Sequence, residues 1–366
     1  MPGPFGELFV HMTWITASQV VLLGFIGGIL SGFIGSGGAF FMTPGMMNLG
    51  VPGPVAVASN ITHKFGKAMV GSKKHGDMGN VDKKLAFFMM ITSFLGIRLA
   101  VVVMKGLFEG SDSHSPVGGA GANLYISLVF GIVLLLVALS MLRDIIRSRK
   151  ADESGPSTKI VDSLSKLKLH PQIYFPVADV KVSLWVILVC GLATGYLAGT
   201  IGVGGFIGVP AMIYVFGVPA AVAAGSELYL AMFMGAFGAL NYAFEGMVDI
   251  RLTLLLYGGS LLGIYIGAYG TKVVKEIVIR LVTSLIILIC VISRIVAIPV
   301  YLQQLDLIDM DPSFNSYFNM ASKGSLYVAG ITGGAIILIF VGKAYMQRRK
   351  IEASLAHGVE EFNPAG

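Results

Sequence analysis

Six stretches of the chain, 85–104, 122–142, 182–201, 252–271, 281–299 and 325–342, are apolar for about twenty residues each and hold at most one charged residue apiece. A segment of that length crosses the hydrocarbon core of a bilayer as a helix. Within that core every backbone amide and carbonyl must be paired internally, which leaves an α-helix as the economical solution for each segment. The fold class expected is therefore an all-α polytopic membrane protein. Composition agrees: 55% of the 366 residues are hydrophobic and 13% are charged, against about 25% charged in an ordinary globular domain. The net charge of +6 sits in short loops, as membrane topology demands, and gives no reason to expect a nucleic-acid partner. Cys190 and Cys290 lie in apolar segments without ligand spacing and read as packing residues. No metal and no cofactor is expected. The N-terminal stretch MPGPFGELFVHMTW has no Lys or Arg, unlike the basic start of a cleaved signal peptide.

The chain also repeats itself at an offset of 167 residues. Gly32, Ile34, Gly35, Gly37 and Gly38 fall on Gly199, Ile201, Gly202, Gly204 and Gly205; Gly50-Val51-Pro52 falls on Gly217-Val218-Pro219; Ser59 falls on Ser226, Asp82 on Asp249 and Leu95-Gly96-Ile97 on Leu262-Gly263-Ile264. The period is too long for a solenoid and suits the two halves of a secondary transporter. Five regions result: a first transmembrane repeat (1–147), a polar cytoplasmic linker (148–181), a second repeat (182–299), an extracytoplasmic loop (300–322), and an extra helix with a basic tail (323–366). Each repeat is expected to hold a broken, re-entrant helix followed by three transmembrane helices.

Basic residues orient the chain. Lys73, Lys74, Lys83 and Lys84 flank one loop, eight Lys/Arg residues lie from Arg143 to Lys181, and Lys343, Arg348, Arg349 and Lys350 cluster near the end, whereas 106–121 and 300–322 have none. Placing the basic regions inside works if each broken segment enters and leaves on one side. The N-terminus is then outside, the C-terminus cytoplasmic, and the repeats are inverted.

The breaks carry the chemistry. Non-helical backbone at membrane depth survives only where protein buries it or it lines a wet cavity. A helix restarting near Ala39, and another near Phe206, would present unpaired amides and partial positive charge to an anion. The candidate substrate-binding set is Gly35, Ser36, Gly37, Gly38 and Ala39 with Gly202, Val203, Gly204, Gly205 and Phe206. Close helix packing through small residues is the competing account of the glycines. Asn60, His63, Lys64 and Lys67 share one face of the following helix, and intramembrane cations usually face a cavity; Lys67 could equally snorkel. Arg98 is a further cationic candidate, Ser226 a polar one, and Arg294 is expected to snorkel. Glu227 occupies the place of Asn60 in the second repeat. Burial disfavours the charged form of a carboxylate, which makes Glu227 a proton-coupling candidate; an ion pair with Lys64 or Arg98 is the alternative. Asp82 and Asp249 read as helix N-caps. An intramembrane serine protease built on Ser36 and His63 is disfavoured because the G-x-S-G context is missing and Val203 replaces the serine in the second repeat. No catalytic residue is expected.

The paired G-x-x-G-x-G-G breaks, Pro44 and Pro210, the G-V-P-x-x-V-A-x-x-S runs at 50–59 and 217–226, and the two G-x-V-D turns together resemble the TauE/SafE family of sulfite exporters, over roughly 20–147 and 182–299. The resemblance implies a multi-pass inner-membrane permease for sulfite or a small organosulfonate. The extra C-terminal helix, the longer linker and the T-H-K-F-G-K run depart from the family pattern and leave another small anion (sulfate, thiosulfate or a carboxylate) open as substrate. An anion channel built from the same parts is the other alternative. The partners expected are a small anion and the bilayer, with a homodimer left open.

Overall fold

The computed structural model describes residues 12–34, 38–110, 119–148, 170–202, 204–274 and 276–360. They form α1 (Trp14–Ile34), α2 (Ala39–Asn48), α3 (Gly53–Asp77), α4 (Lys83–Glu109), α5 (Ala120–Ser148), a hairpin of β1 (Gln172–Phe175) and β2 (Val180–Ser183), α6 (Leu184–Ile201), α7 (Gly205–Pro210), α8 (Ala220–Phe244), α9 (Ile250–Val273), α10 (Glu276–Gln304) and α11 (Ser313–Glu360). Among the described residues, eight helices are long and apolar enough to cross a membrane. The protein is an all-α polytopic membrane protein.

Each break turns the chain back on itself. Gly45 of α2 lies on Leu23 of α1, Met42 lies on Gly27, and Gly38 lies on the Gly27 backbone, so α1 and α2 form a hairpin. In the second half α6 ends at Ile201, and Gly202 takes a left-handed conformation with φ of 76°, a region open to glycine but costly for other residues. Gly204 then sits against Ala198 and the Thr194 carbonyl, and Thr194 is the offset partner of Gly27. α7 is short and passes into a π turn, Ala211–Val215, in which the Phe216 amide reaches the Ala211 carbonyl.

The long helices cross-pair between the halves. α1 runs parallel to α9, with Gly24, Gly28 and Gly32 against the backbone of Leu256, Ser260 and Ile264. α4 runs parallel to α6, with Gly191 and Gly195 against the backbone of Met89 and Ser93. These contacts map onto one another at the 167-residue offset: Gly28 on Ser260 becomes Gly195 on Ser93, and Gly263 on Phe25 becomes Gly96 on Leu192. α3 and its counterpart α8 pack antiparallel at the centre, where Ile61 meets Gly238, Phe65 meets Gly235 and Leu228 meets Gly71. Small residues let helices approach closely where lipid tails supply no competing hydrophobic drive.

The α3–α4 turn, the start of α8 and the β-hairpin meet at one end. The Asp82 carboxylate caps α4 at Leu85 N and also accepts from the Val177 and Ala178 amides in the hairpin turn. Ser226 Oγ accepts from Asp82 N at 2.8 Å. Asp249 caps α9 in the same way, so both aspartates are N-caps as expected. Three features add to this framework. The linker carries the β-hairpin in its last part. The segment 300–322 is loop only in its middle, because α10 runs to Gln304 and α11 starts at Ser313. The final helix is also much longer than 325–342.

Candidate functional site

The tips of the two hairpins meet at the centre. Thr43 of α2 donates its hydroxyl to the Ile201 carbonyl, the last residue of α6, at 3.2 Å. Asn60 of α3 donates to Thr43 Oγ1 at 2.7 Å and to the Ala39 carbonyl at 3.2 Å. Gly202 fits against both side chains: a Cβ there would lie 3.1 Å from Asn60 Nδ2 and 3.2 Å from Thr43 Oγ1. One asparagine thus joins the first helix after one break to the break of the other half. Asn60 uses its amide nitrogen for this and keeps its carbonyl oxygen without a partner, fully buried.

One turn further along α3 from Asn60, Lys64 faces Glu227 of α8. Its carboxylate packs on Gly208 of α7, where a Cβ would lie 2.2 Å from Oε2 and 3.3 Å from Thr194 Cγ2. Neither oxygen has a hydrogen-bond partner, and the Thr194 and Thr200 hydroxyls are buried without one as well. Lys64 Nζ stands 3.7 Å from Glu227 Oε1, the two side chains being 14% and 5% exposed. That is a charge contact beyond hydrogen-bond length. Buried polar atoms are normally satisfied, so a cluster of unsatisfied ones around a glycine-lined junction marks a place where a further group can bind.

Two other basic residues of α3 near the pair have partners on neighbouring helices. His63 Nε2 is 2.7 Å from Ser260 Oγ, with its ring beside Tyr257, and Lys67 is hydrogen-bonded to Ser31 of α1. Lys67 therefore reaches another helix inside the protein. Tyr257 is a residue that sequence reasoning missed: its hydroxyl donates to the Thr62 carbonyl at 3.0 Å and accepts from the Gly66 amide at 2.9 Å. These are the two groups that an α-helix would join directly, so α9 reaches into the hydrogen-bond ladder of α3 beside the ion pair.

Two sequence-predicted site residues stand elsewhere. Arg98 is 51% exposed and pairs with Glu245 at 3.4 Å, where Lys105 also binds at 2.7 Å; it belongs to a charge cluster at the end of α8. Ser226 is occupied by the Asp82 amide and holds α8 to the α3–α4 turn. Ala39 is at the junction through its carbonyl, and Gly38, Gly204 and Gly205 are at the start of the returning helices. Gly35, Ser36, Gly37 and Val203 lie outside the described residues, as does the side chain of Phe206. Arg294, expected to snorkel, is instead fully buried and bonds Asn48 and Ser322. A signal for this existed, since Asn48 and Ser322 are polar residues at the ends of apolar segments.

The sequence profile named sulfite exporter TauE/SafE matches residues 20–294. The chain is similar to the probable membrane transporter protein YjnA of Bacillus subtilis, with 27% identity covering 69% of this chain and 89% of the relative. It is similar also to the probable membrane transporter protein YdhB of the same organism, at 25% identity over 71% and 93%. A probable membrane transporter protein of Xylella fastidiosa matches at 26% identity over 69% and 84%. No solved structure matches significantly. With three-quarters of its length matched, cross-paired glycine helices included, the chain belongs to the TauE/SafE sulfite exporter family.

Proposed function

We propose that this membrane transporter carries a small anion, sulfite or a small organosulfonate, by alternating access between two inverted repeats. The observation that carries the reading is the junction of Thr43, Asn60, Ile201 and Gly202, which ties α2, the helix after the first break, to the end of α6 at one buried point. There the anion would sit between the amides that start α2 and α7, with Asn60 and Lys64 beside it. Family membership supports the sulfur oxyanion.

In this reading each hairpin enters and leaves on one side. The N-terminus is outside, the Asp82–Ser226 end is cytoplasmic, and the C-terminus is cytoplasmic in the inner membrane. The antiparallel packing of α3 on α8 supports the inversion, because equivalent helices then cross in opposite directions.

Proteoliposome flux tests the proposal. The wild-type protein should take up sulfite or a sulfonate saturably and show counterflow, which a channel does not. Asn60→Leu should lower kcat/KM by at least about tenfold, the effect of losing one or two well-placed hydrogen bonds. Linear, non-saturating flux without counterflow would establish the channel reading instead.

A further inference from the structure

We propose that Lys64 and Glu227 act as a two-position switch that moves one proton with each anion. The inference rests on the transport reading above and specifies how the same site is coupled. Three observations lead to it. The pair bridges the halves, Lys64 on α3 and Glu227 on α8, at 3.7 Å. Both carboxylate oxygens lack a hydrogen-bond partner although the side chain is buried. The carboxylate lies on Gly208, so no side chain stands between it and α7.

The groups facing Glu227 leave Lys64 as its counter-charge. From α3, His63 is turned to Ser260 and Lys67 to Ser31, while His75 lies beside Gly225 at the start of α8. From α4, Asp82 is held at Ser226 and in the hairpin turn, and Arg98 and Lys105 are taken by Glu245 at the far end of α8. α6 offers Thr194, with Tyr196 bonded to Tyr125. The α7 sequence GFIGVP has no titratable residue, and Tyr214 of the π turn is bonded to Asp144.

The exchange balances as follows. With the site empty, the Glu227 carboxylate and the Lys64 ammonium neutralise one another. When an anion arrives, a proton from the same side forms an O–H bond on Glu227, and the neutral acid releases the ammonium to the anion. Lys64 keeps all its protons. After the site reopens on the other side the anion leaves, Glu227 gives up its proton there, and the pair re-forms. A buried carboxylate facing both an anion and no cation would be an uncompensated charge, so the two events are linked. Each monoanion then moves without net charge, and each dianion carries one net negative charge, which an inside-negative potential drives outward.

The test uses 2-hydroxyethanesulfonate, which stays ionised at all working pH values, so that any proton moved is carried by the protein. Purified full-length protein in liposomes is followed by labelled anion and by a lumenal pH dye. Wild type should move about one proton per anion, and Glu227→Gln about none. In detergent, wild-type anion affinity should fall about tenfold per unit of pH once Glu227 ionises, while Glu227→Gln should bind independently of pH. The binding arm decides the matter even if the variant is too slow to transport. Lys64→Met should lose anion affinity at least about tenfold. A proton-to-anion ratio that Glu227→Gln leaves unchanged, or a pH dependence of affinity that it retains, overturns the switch. Wild-type net uptake of the anion with no proton movement overturns the switch but leaves the transport reading standing. Absence of any saturable uptake of sulfite or sulfonate by the wild type overturns both.

Discussion

Glu227 and Asn60 occupy equivalent positions in the two repeats yet do different things. Asn60 spends its donors on Ala39 and Thr43, and Glu227 keeps two bare oxygens on Gly208. The glycine is what makes room. Gly208→Ala would put a methyl group 2.2 Å from Glu227 Oε2, so the carboxylate must move; overpacking of this kind costs about 1–3 kcal/mol. The expected result is a lowered unfolding temperature together with loss of proton movement, whereas Gly258→Ala, with open space at its Cβ, should change neither. These central residues were legible because a charge or amide inside an apolar run is expensive and seldom idle. Arg98 and Ser226 stand away from the junction. The same cost rule flags any polar residue in a helix, but packing alone decides which face it is on. Arg98 shares its face with Lys105 seven residues on, and both reach Glu245. Thr43 and Tyr257 gave no such signal, since a hydroxyl in an apolar helix is commonplace.

At the level of elements the cross-pairing of α1 with α9 and α4 with α6 depends on backbone contact. A Cβ on Gly195 would lie 2.1 Å from the Ser93 carbonyl oxygen and one on Gly28 would lie 2.5 Å from that of Ser260. Gly195→Val and Gly28→Val should each push a helix pair apart and cost more than about 3 kcal/mol, seen as loss of monodisperse protein in detergent. Asp82 links three elements, so Asp82→Ala removes a cap and frees two hairpin amides. A loss of about 1–3 kcal/mol follows, with faster proteolysis around 170–183; Ser226→Ala should show a smaller loss and retain transport. The offset of 167 made both helix pairs findable as equivalents, though not that they would cross-pair, because a repeat says nothing of its partner. The hairpin was readable in principle: Ile173 and Phe175, then Val180 and Val182, alternate across the turn residues Pro176 to Asp179.

For the molecule as a whole, the proposed topology, with both hairpins entering and leaving on one side, puts the N-terminus outside if the C-terminus is cytoplasmic. A protease-sensitive tag at the N-terminus should be cleaved in spheroplasts and one at the C-terminus protected; cleavage of both or neither contradicts the inversion. Parity alone suggests this arrangement in the sequence, since the basic loops can be placed together only if the broken segments turn back. The long α11 adds Ser322 and Lys323 outside the family match and closes Arg294 in among Asn48 and Ser293. In the proposed mechanism both breaks and Lys64 build one anion site. Sulfite and sulfonate counterflow in proteoliposomes, wild type against Lys64→Met, tests it most directly. A shared anion site gives saturable counterflow that the substitution lowers at least about thirtyfold in kcat/KM, near 2 kcal/mol of binding. Undiminished counterflow in Lys64→Met would contradict it.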